Sequence, residues 1–461
     1  MAGVKTYQGM RTFLVIWFGQ LISTLGSGLT GFALGVWIYQ ETGSTTLFAM
    51  NMLAYAVPNL LVSPLAGALV DRWDRRVVMI LSDTGAGLST LVVFLLLVTN
   101  SLEIWHVYII TAISAAFSTF QWPAYSAATS TLVPKEQLGR AGGLVQIGEA
   151  ISQIIAPGVA GALYVTAGLQ GVILIDVLTF VFAVGSLLVV KIPRPEVSAE
   201  GEQGKGSLWK EATYGWKYII ARPGLLGLLS VFAATNFFSG IMQPLLAPLV
   251  LDMTSADMLG YLGSVLGVGM LLGTLLMSAW GGPRRKVHGV LGFLLIGGIF
   301  TSMVGLRPSI PLMTVSGFLL MLTFPIVNGS SQAIWQSKVA LDVQGRVFSV
   351  RRMIAWSTTP IAFAIAGPLA DGVFKPLLLE GGGLAGSVGQ IIGVGPGRGV
   401  GLMFILIGLF NVLVSAAGYL NPRIYHVEDE LPDAVRPEDN EAETLSPSPE
   451  TTVSVSGLSP E

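Results

Sequence analysis

Cysteine is absent from the 461 residues of this chain, and histidine occurs only at His106, His288 and His426. Without cysteine there can be no disulfides, thiolate zinc sites, Cys-ligated iron–sulfur clusters or cysteine nucleophiles. The three histidines lie far apart in the sequence, which argues against a histidine metal site. A Gly-x-x-x-x-Gly-Lys-Ser/Thr phosphate-binding loop is also missing. We therefore expect no metal, no other cofactor and no enzymatic activity.

Charge is scarce as well. Charged residues make up 11% of the chain and hydrophobic residues 52%, whereas an ordinary soluble protein is about 25% charged. Lipid is a better solvent than water for such a surface, and a helix of roughly 20 apolar residues spans a bilayer. Twelve segments have this length: 12–39, 45–70, 77–99, 104–131, 141–166, 170–191, 223–251, 257–280, 287–306, 309–334, 347–372 and 399–421. We predict an all-α membrane protein with twelve transmembrane helices in two pseudo-repeated six-helix halves.

The distribution of basic residues tests this topology, because Lys and Arg collect in the short cytoplasmic loops of membrane proteins. If both termini are cytoplasmic, all but three of the 25 basic residues fall on the cytoplasmic side. The exceptions are Arg307, Lys375 and Arg398. The sequence therefore predicts a multi-pass protein of the cell membrane, with both termini in the cytoplasm.

Composition divides the chain into four parts. Residues 1–191 and 223–426 each hold six predicted spans. Between them, residues 192–222 are polar and basic, which predicts a cytoplasmic linker with a surface helix. Residues 427–461 are strongly acidic and contain few apolar side chains. This last composition predicts a disordered cytoplasmic tail.

The loop between spans 2 and 3 carries the most specific motif. It reads Gly67-x-x-x-Asp71-Arg72-x-x-Arg75-Arg76 and resembles the signature loop of the Major Facilitator Superfamily. Three further stretches, Phe18–Gly28, Pro123–Pro134 and Gln336–Phe348, are similar to drug:proton antiporters that include macrolide efflux pumps and the enterobactin exporter. This resemblance covers about residues 10–424. It implies a transporter that works by alternating access, with spans 1, 4, 7 and 10 around its substrate.

We call the five motif residues Gly67, Asp71, Arg72, Arg75 and Arg76 the gating loop. Asp71 can accept hydrogen bonds from the first amides of the next helix or pair with Arg75. Gly67 would permit close helix contact. The loop is thus expected to act as a latch between the halves. Alternatively, its arginines only fix the topology, although topology alone would not require Asp71 and Gly67 at this spacing.

Three carboxylates lie well inside the predicted spans, where a charge costs at least about 2.5–3.5 kcal/mol on insertion scales. These proton-coupling candidates are Glu149, Asp83 and Asp176. Glu149 is the deepest, about 12 Å in at ~1.5 Å per residue. It shares one helix face with Gln146 and Gln153, and burial disfavours its charged form, which favours proton exchange. The alternative for each is a neutral, hydrogen-bonded structural carboxyl.

Polar and aromatic side chains inside the spans are candidates for substrate binding, because they offer hydrogen bonds and stacking area without charge. They are Gln20, Gln121, Trp122, Asn236, Gln243, Asn328 and Gln332. Such a lining suits a bulky, weakly polar molecule better than a sugar phosphate, which would need basic groups in the site.

We therefore predict an exporter of bulky amphipathic small molecules, such as drugs, macrolides or a siderophore or peptide metabolite, that is driven by the proton-motive force. An importer or lipid flippase of the same fold is a second hypothesis. A non-transporting membrane receptor or scaffold is a third. The expected partners are the small-molecule substrate, protons and the lipid bilayer, without nucleic acid, and the protein is expected to be a monomer.

Overall fold

The computed structural model describes residues 2–70, 73–133, 137–190, 192, 216–339 and 344–430. Within these ranges every regular element is a helix. Each helix satisfies its backbone hydrogen bonds internally, which is what the interior of a bilayer demands of a spanning segment.

Five long helices form the first half of the chain. They are α1 (Ala2–Thr42), α2 (Thr45–Val70), α3 (Arg75–Val98), α4 (Ile104–Leu132) and α5 (Leu138–Val189). α5 is kinked at Gly168, whose φ of 68° lies in the left-handed region that glycine adopts without a Cβ penalty. The kink divides α5 into two passes, which correspond to the spans predicted at 141–166 and 170–191.

Six long helices form the second half. They are α6 (Pro223–Met242), α7 (Ala256–Trp280), α8 (Lys286–Leu306), α9 (Ile310–Lys338), α10 (Gln344–Leu369) and α11 (Arg398–Leu420). α6 continues through a 3₁₀ turn at Gln243–Leu245 into a short helix at Leu246–Leu251. α10 continues through a π-helical turn at Ala370–Phe374.

The number of membrane passes agrees with the prediction. Ten helical segments of the described chain are long and apolar enough to cross a bilayer. One of them, Arg140–Val189, contains both passes of α5. α4 supplies the remaining pass: it is as long as its neighbours but carries more polar side chains, including His106 and Gln121. The predicted fold of twelve helices in two halves is therefore confirmed.

Successive passes run in opposite directions, so the loops lie at two ends of the bundle. We call one of them the Asp371 end; it carries the connections at 43–44, 99–103, 252–255, 307–309 and 378–397. The opposite one is the Arg75 end, with the connections around residues 71–74, 133–137, 281–285 and 339–343.

Helix packing joins the halves along two lines. α5 of the first half packs against α7 of the second, and α2 packs against α10. An apolar core at the Asp371 end also contains side chains from both halves, with Val36 of α1 beside Leu245 and Leu249 of the second half. The halves are therefore in close contact at this end.

The predicted linker and tail lie mostly outside the described ranges. Of the predicted linker 192–222, the structure describes residue 192 and residues 216–222, and it shows residues 216–220 as helical. Of the predicted tail 427–461, it describes Val427–Glu430, which form a helical turn. Val427 is fully buried in the apolar core of the second half.

Candidate functional site

A polar network joins three helices of the first half. The Nε2 of Gln20 on α1 donates to Oδ2 of Asp83 on α3 at 2.8 Å, and the Nε2 of Gln121 on α4 donates to Oε1 of Gln20 at 2.7 Å. Only 8% of the Asp83 surface is exposed. The structure thus brings together one coupling candidate and two substrate-binding candidates that the sequence placed on separate spans.

A cavity of about 430 Å³ lies between the two halves. Its walls come from α1, α5, α7 and α9, so both halves contribute to it. The lining residues are Thr24, Gly28, Ser152, Gln153, Ala156, Pro157, Gly263, Leu266, Gly267, Met270 and Met321. A site shared by paired halves is the usual place for substrate in secondary transporters.

Two candidate carboxylates lie close to this cavity. Gln20 precedes the cavity residue Thr24 by one helical turn, which connects the Asp83 network to the cavity wall. Glu149 precedes the cavity residue Gln153 by one turn on α5. Glu149 is half-buried. Gln146 was predicted to share a helix face with Glu149 and Gln153, but its side chain lies outside the described part of the structure.

Asp176 has different surroundings. It lies in the second pass of α5 with only 3% of its surface exposed. The hydroxyl of Thr90 on α3 donates to its Oδ2 at 3.2 Å. α1 packs tightly on the same carboxylate, since a Cβ on Gly26 would lie 2.7 Å from Oδ1 of Asp176. This position fits the alternative of a helix-packing carboxyl.

The gating loop and the neighbouring Asp74 make contacts within the first half. Asp74 caps α3 by accepting from the backbone N–H of Arg76 at 3.0 Å. Arg75 donates to the carbonyl of Ala127 at 2.7 Å and to the hydroxyl of Thr131 on α4. Arg76 donates to the carbonyls of Leu187 and Leu188 near the end of α5, at 2.8 and 2.7 Å. These arginines bind helix C-termini, where cations are favoured.

For three residues of the gating loop, either the residue or its contacts lie outside the described part of the structure. Asp71 and Arg72 lie outside the described residues. Gly67 lies within α2, but its contacts also lie outside the described part. The latch between the halves therefore stays a prediction.

The remaining substrate-binding candidates are dispersed. Trp122 on α4 is 63% exposed. Asn236 on α6 is half-buried, and Gln243 in the following turn is exposed. Asn328 on α9 is exposed and donates to the carbonyl of Phe324 in its own helix at 3.0 Å. Gln332, one turn further on, accepts at 2.9 Å from Nη1 of Arg351 on α10.

Asp371 joins the halves at the end of the bundle that bears its name. Its carboxylate accepts from the backbone N–H groups of Thr45 and Thr46, at 3.2 and 2.7 Å, at the start of α2. The hydroxyls of Ser44 and Thr46 donate to it at 2.8 and 2.7 Å. Lys375 forms an ion pair with it at 2.9 Å. One side chain of the second half thus caps a helix of the first half.

A second polar contact lies beside the first. The hydroxyl of Tyr39 on α1 donates to Oδ1 of Asp252 in the second half at 2.5 Å. Lys375 donates to the Tyr39 hydroxyl at 3.4 Å and to the carbonyl of Gly43 at 3.3 Å. We call Tyr39, Thr46, Asp252, Asp371 and Lys375 the Asp371 cluster. It holds the two halves together at this end.

Small residues permit close contact between α5 and α7. A Cβ on Gly161 would lie 2.5 Å from the carbonyl oxygen of Ala256, and one on Gly260 would overlap the carbonyl oxygen of Pro157. The hydroxyl of Ser264 donates to the carbonyl of Ile154 at 2.5 Å. Glycines at such positions allow the backbones of two helices to approach. The contact lies between the cavity and the Asp371 end.

Sequence reasoning missed the Asp371 cluster and the environment of Arg351. Asp371 lies one residue from the end of the span predicted at 347–372, so it was not counted among the intramembrane carboxylates. Lys375 did leave a signal, because it is one of three basic residues that depart from the positive-inside pattern. Arg351 was assigned to the cytoplasmic loops, although it lies inside the same predicted span.

Two six-pass halves with a shared cavity between them, in contact at one end, have the architecture of a membrane transporter. Residues 16–364 match the Major Facilitator Superfamily. The chain belongs to this superfamily, which confirms the resemblance seen in the gating loop.

Relatives of this chain are named as efflux proteins. It is 29% identical to macrolide efflux protein A of Streptococcus pyogenes over 80% of this chain and 92% of that protein. It is 25% identical to the enterobactin exporter of Shigella flexneri over 59% of this chain and 63% of that protein. Its fold is similar to a bacterial homologue of the human lysosomal transporter Spinster, with a TM-score of 0.68 and 14% identity over 89% of this chain and 96% of that one.

Proposed function

We propose that this protein exports bulky amphipathic small molecules in exchange for protons. The observation that carries the proposal is the cavity between the halves, with one carboxylate a helical turn from its wall on α5 and a second hydrogen-bonded to a residue of α1 that is one turn from the wall. Asp83 connects to the wall through Gln20, and Glu149 lies next to Gln153. An exchanger needs a site for substrate and a proton-binding group close enough for each to affect the other.

The lining of the cavity supports the substrate class. Most of the wall is apolar, and Met270 and Met321 are flexible side chains that adapt to irregular shapes. Thr24, Ser152 and Gln153 provide a few hydrogen-bonding groups. Such a mixture is typical of sites for amphipathic molecules. The named efflux activities of the relatives favour the same class and the direction of transport.

Glu149 is the first candidate for proton coupling. It is half-buried, whereas Asp83 is almost fully buried and held by Gln20. A coupling group must lose its proton to water in one state and keep it in another, and Glu149 has more access to water in this structure. Asp83 is the second candidate.

The proton-motive force is large enough for this task. One charge that moves across about 100 mV is worth ~2.3 kcal/mol. At ~1.4 kcal/mol per factor of ten, this supports roughly a 40-fold gradient of substrate before any pH difference is counted.

Orientation follows from the charge pattern. Basic residues collect at the Arg75 end, so we assign this end to the cytoplasm and the Asp371 end to the outside. The Asp371 cluster then closes the outer side of the cavity. Substrate enters from the cytoplasmic side, and separation of the halves at the Asp371 end releases it.

Everted membrane vesicles test the proposal, with the fluorescent amphiphile Hoechst 33342 as the probe. An imposed proton gradient is expected to drive its accumulation without ATP. Glu149→Gln should abolish this accumulation but leave downhill movement of the probe intact. Asp83→Asn tests the second candidate, and Glu103→Gln, an exposed carboxylate at the Asp371 end, is the matched control and should keep full activity.

Other outcomes decide among the alternatives. Accumulation that persists after both the electrical potential and the pH gradient are dissipated would overturn proton coupling. Movement of the probe out of everted vesicles under the same gradient would indicate an importer. If no member of a panel of amphiphiles moves in either direction, the receptor or scaffold hypothesis is favoured.

A further inference from the structure

Arg351 is a partly buried cation near the start of α10, without an acidic partner among the described residues. It lies seven residues from the start of α10 at Gln344, which is about 10 Å into the helix at ~1.5 Å per residue. Its hydrogen bonds go to Oε1 of Gln332 at 2.9 Å and to Oγ of Ser331 at 3.0 Å, both uncharged. No carboxylate of the described residues forms an ion pair with it. A partly buried guanidinium without a counter-charge is costly and is therefore a candidate for a function.

The side chain of Arg351 points into the interior of the second half. α10 packs against α6 and against α2 of the first half, whereas α9 packs against α7 and α8. α9 and α10 are not among the closely packed helix pairs of the described residues. The Arg351 side chain nevertheless reaches from α10 to Gln332 and Ser331 on α9. It therefore crosses the interior of the second half and does not point into lipid.

Two aromatic rings lie next to the same guanidinium group. Its Cζ lies 5.1 Å from the centre of the Trp335 ring on α9 and 5.9 Å from that of Phe232 on α6. Both rings are buried. A guanidinium near an aromatic face is stabilised by the ring quadrupole, so the two buried rings hold the cation in place without neutralising its charge. The local chemistry combines a positive charge with apolar surroundings.

The hydrogen-bonding capacity of Arg351 is not exhausted. A guanidinium has five N–H donors in a planar fork, and the two bonds to α9 use one donor each on Nη1 and Nη2. A fork of this kind matches the two oxygens of a carboxylate or the oxygens of a phosphate. Gln332 fixes the fork in place from the side, so the remaining donors are available to a ligand.

We propose that Arg351, held in place by Gln332, Trp335 and Phe232, forms a subsite for an anionic group on an amphiphile. This rests on the proposed transport function and adds molecules with an acidic group to its substrates. An anionic lipid headgroup has the same chemistry as an acidic solute, so the experiment must separate these two sources.

The test measures binding of 1-pyrenebutyrate and its methyl ester to the purified full-length protein. The two probes share a body and differ only in the carboxylate. Wild-type protein in a neutral detergent is expected to bind the acid about tenfold or more tightly than the ester, as for other hydrogen bonds to charged groups. Arg351→Met should remove this preference, and Arg351→Lys should retain part of it. Arg285→Gln, at an exposed position in the same half, is the matched control.

Equal affinity for acid and ester in the wild type, or an unchanged preference in Arg351→Met, would overturn the proposal. If Arg351→Met fails to fold, Gln332→Leu serves instead and should reduce the preference while leaving affinity for the ester unchanged. Repeating the measurement in phosphatidylcholine vesicles with and without phosphatidylglycerol separates the sources: competition by the anionic lipid identifies a headgroup site, and its absence identifies a site for solutes. Because binding is measured without a gradient, failure of proton coupling would leave this result intact.

Discussion

The carboxylate of Asp371 in the second half accepts a hydrogen bond from the backbone N–H of Thr46 in the first half at 2.7 Å. The two residues are 325 positions apart in the sequence. Their contact lies at the entrance of α2, where unpaired amides and the helix dipole favour an anion. The pair is therefore a cap and a bridge between the halves at the same time.

Replacing this carboxylate should open the Asp371 end. Asp371→Asn keeps the size of the side chain but removes the charge and the ion pair to Lys375. Loss of a charged cap is expected to cost the closed state about 1–2 kcal/mol, which shifts the closed-to-open ratio about 5- to 30-fold. Spin labels at Ser101→Cys and Glu380→Cys, both exposed, measure the change as a longer distance between the halves. The absence of native cysteine keeps the labelling specific.

Glu103→Gln provides the control in the same labelled background, because among the described residues the bonds of this exposed carboxylate go to its own half, to Trp105 and His106. A distance distribution in Asp371→Asn equal to that of the control would contradict a role for Asp371 in closure.

Close contact between α5 and α7 makes a second prediction. Gly260→Ala adds a Cβ that overlaps the carbonyl of Pro157, and overpacking of this kind typically costs about 1–3 kcal/mol. Because the strain exists only when the halves are in contact, the same spin labels should report a more open Asp371 end. Gly185→Ala, a helical position on α5 with open space around it, should leave the distances unchanged. Equal behaviour of the two variants would argue against this interface.

The buried network around Asp83 makes a third prediction, on stability. Gln20→Leu leaves a buried carboxylate without its donor, which should lower the free energy of unfolding by about 1–3 kcal/mol. Gln20→Leu combined with Asp83→Leu removes both partners of that bond and should restore part of the loss, since Gln121 still lacks its acceptor. Thermal unfolding in detergent measures both changes. Gln153→Leu, at an exposed cavity position, is the control, and a destabilisation as large as that of Gln20→Leu would refute the assignment.

Glu428 and Asp429 give a fourth, paired prediction. The Glu428 carboxylate accepts from the backbone N–H groups of Lys286 and Val287 at 3.0 and 2.8 Å, and so caps α8. Asp429 pairs with Arg285, but both side chains are about half exposed, at 51% and 44%. Glu428→Ala should therefore lower the free energy of unfolding by about 1 kcal/mol, and Asp429→Ala by less. Calorimetry on the two variants decides the order, and the reverse order would show that the cap is unimportant.

The topology could be predicted from the sequence because it depends on sums over many residues. Hydropathy over about 20 residues and the positions of Lys and Arg are robust signals, since no single contact decides them. α4 shows that the pattern tolerates polar side chains, because it was predicted as a span although it includes His106 and Gln121.

The site could be predicted only as separate parts. Gln20, Asp83 and Gln121 were each singled out, but their hydrogen bonds join residues 63 and 101 positions apart, and a single sequence does not encode such pairs locally. Arg351 was assigned to topology because charge counts do not distinguish a loop arginine from one that turns into the bundle. Asp371 was missed because its role as a cap depends on a backbone N–H that belongs to a different helix.

The cap at the start of α2 links the structure of this helix to the separation of the halves. When the halves separate at the Asp371 end, the amides of Thr45 and Thr46 lose their acceptor, and the first turn of α2 must find water or unwind. Part of the secondary structure of one half is therefore completed by the other half. Hydrogen–deuterium exchange at these two amides should follow the rate at which the transporter opens, without any label, and a first half produced alone should begin α2 later in the chain.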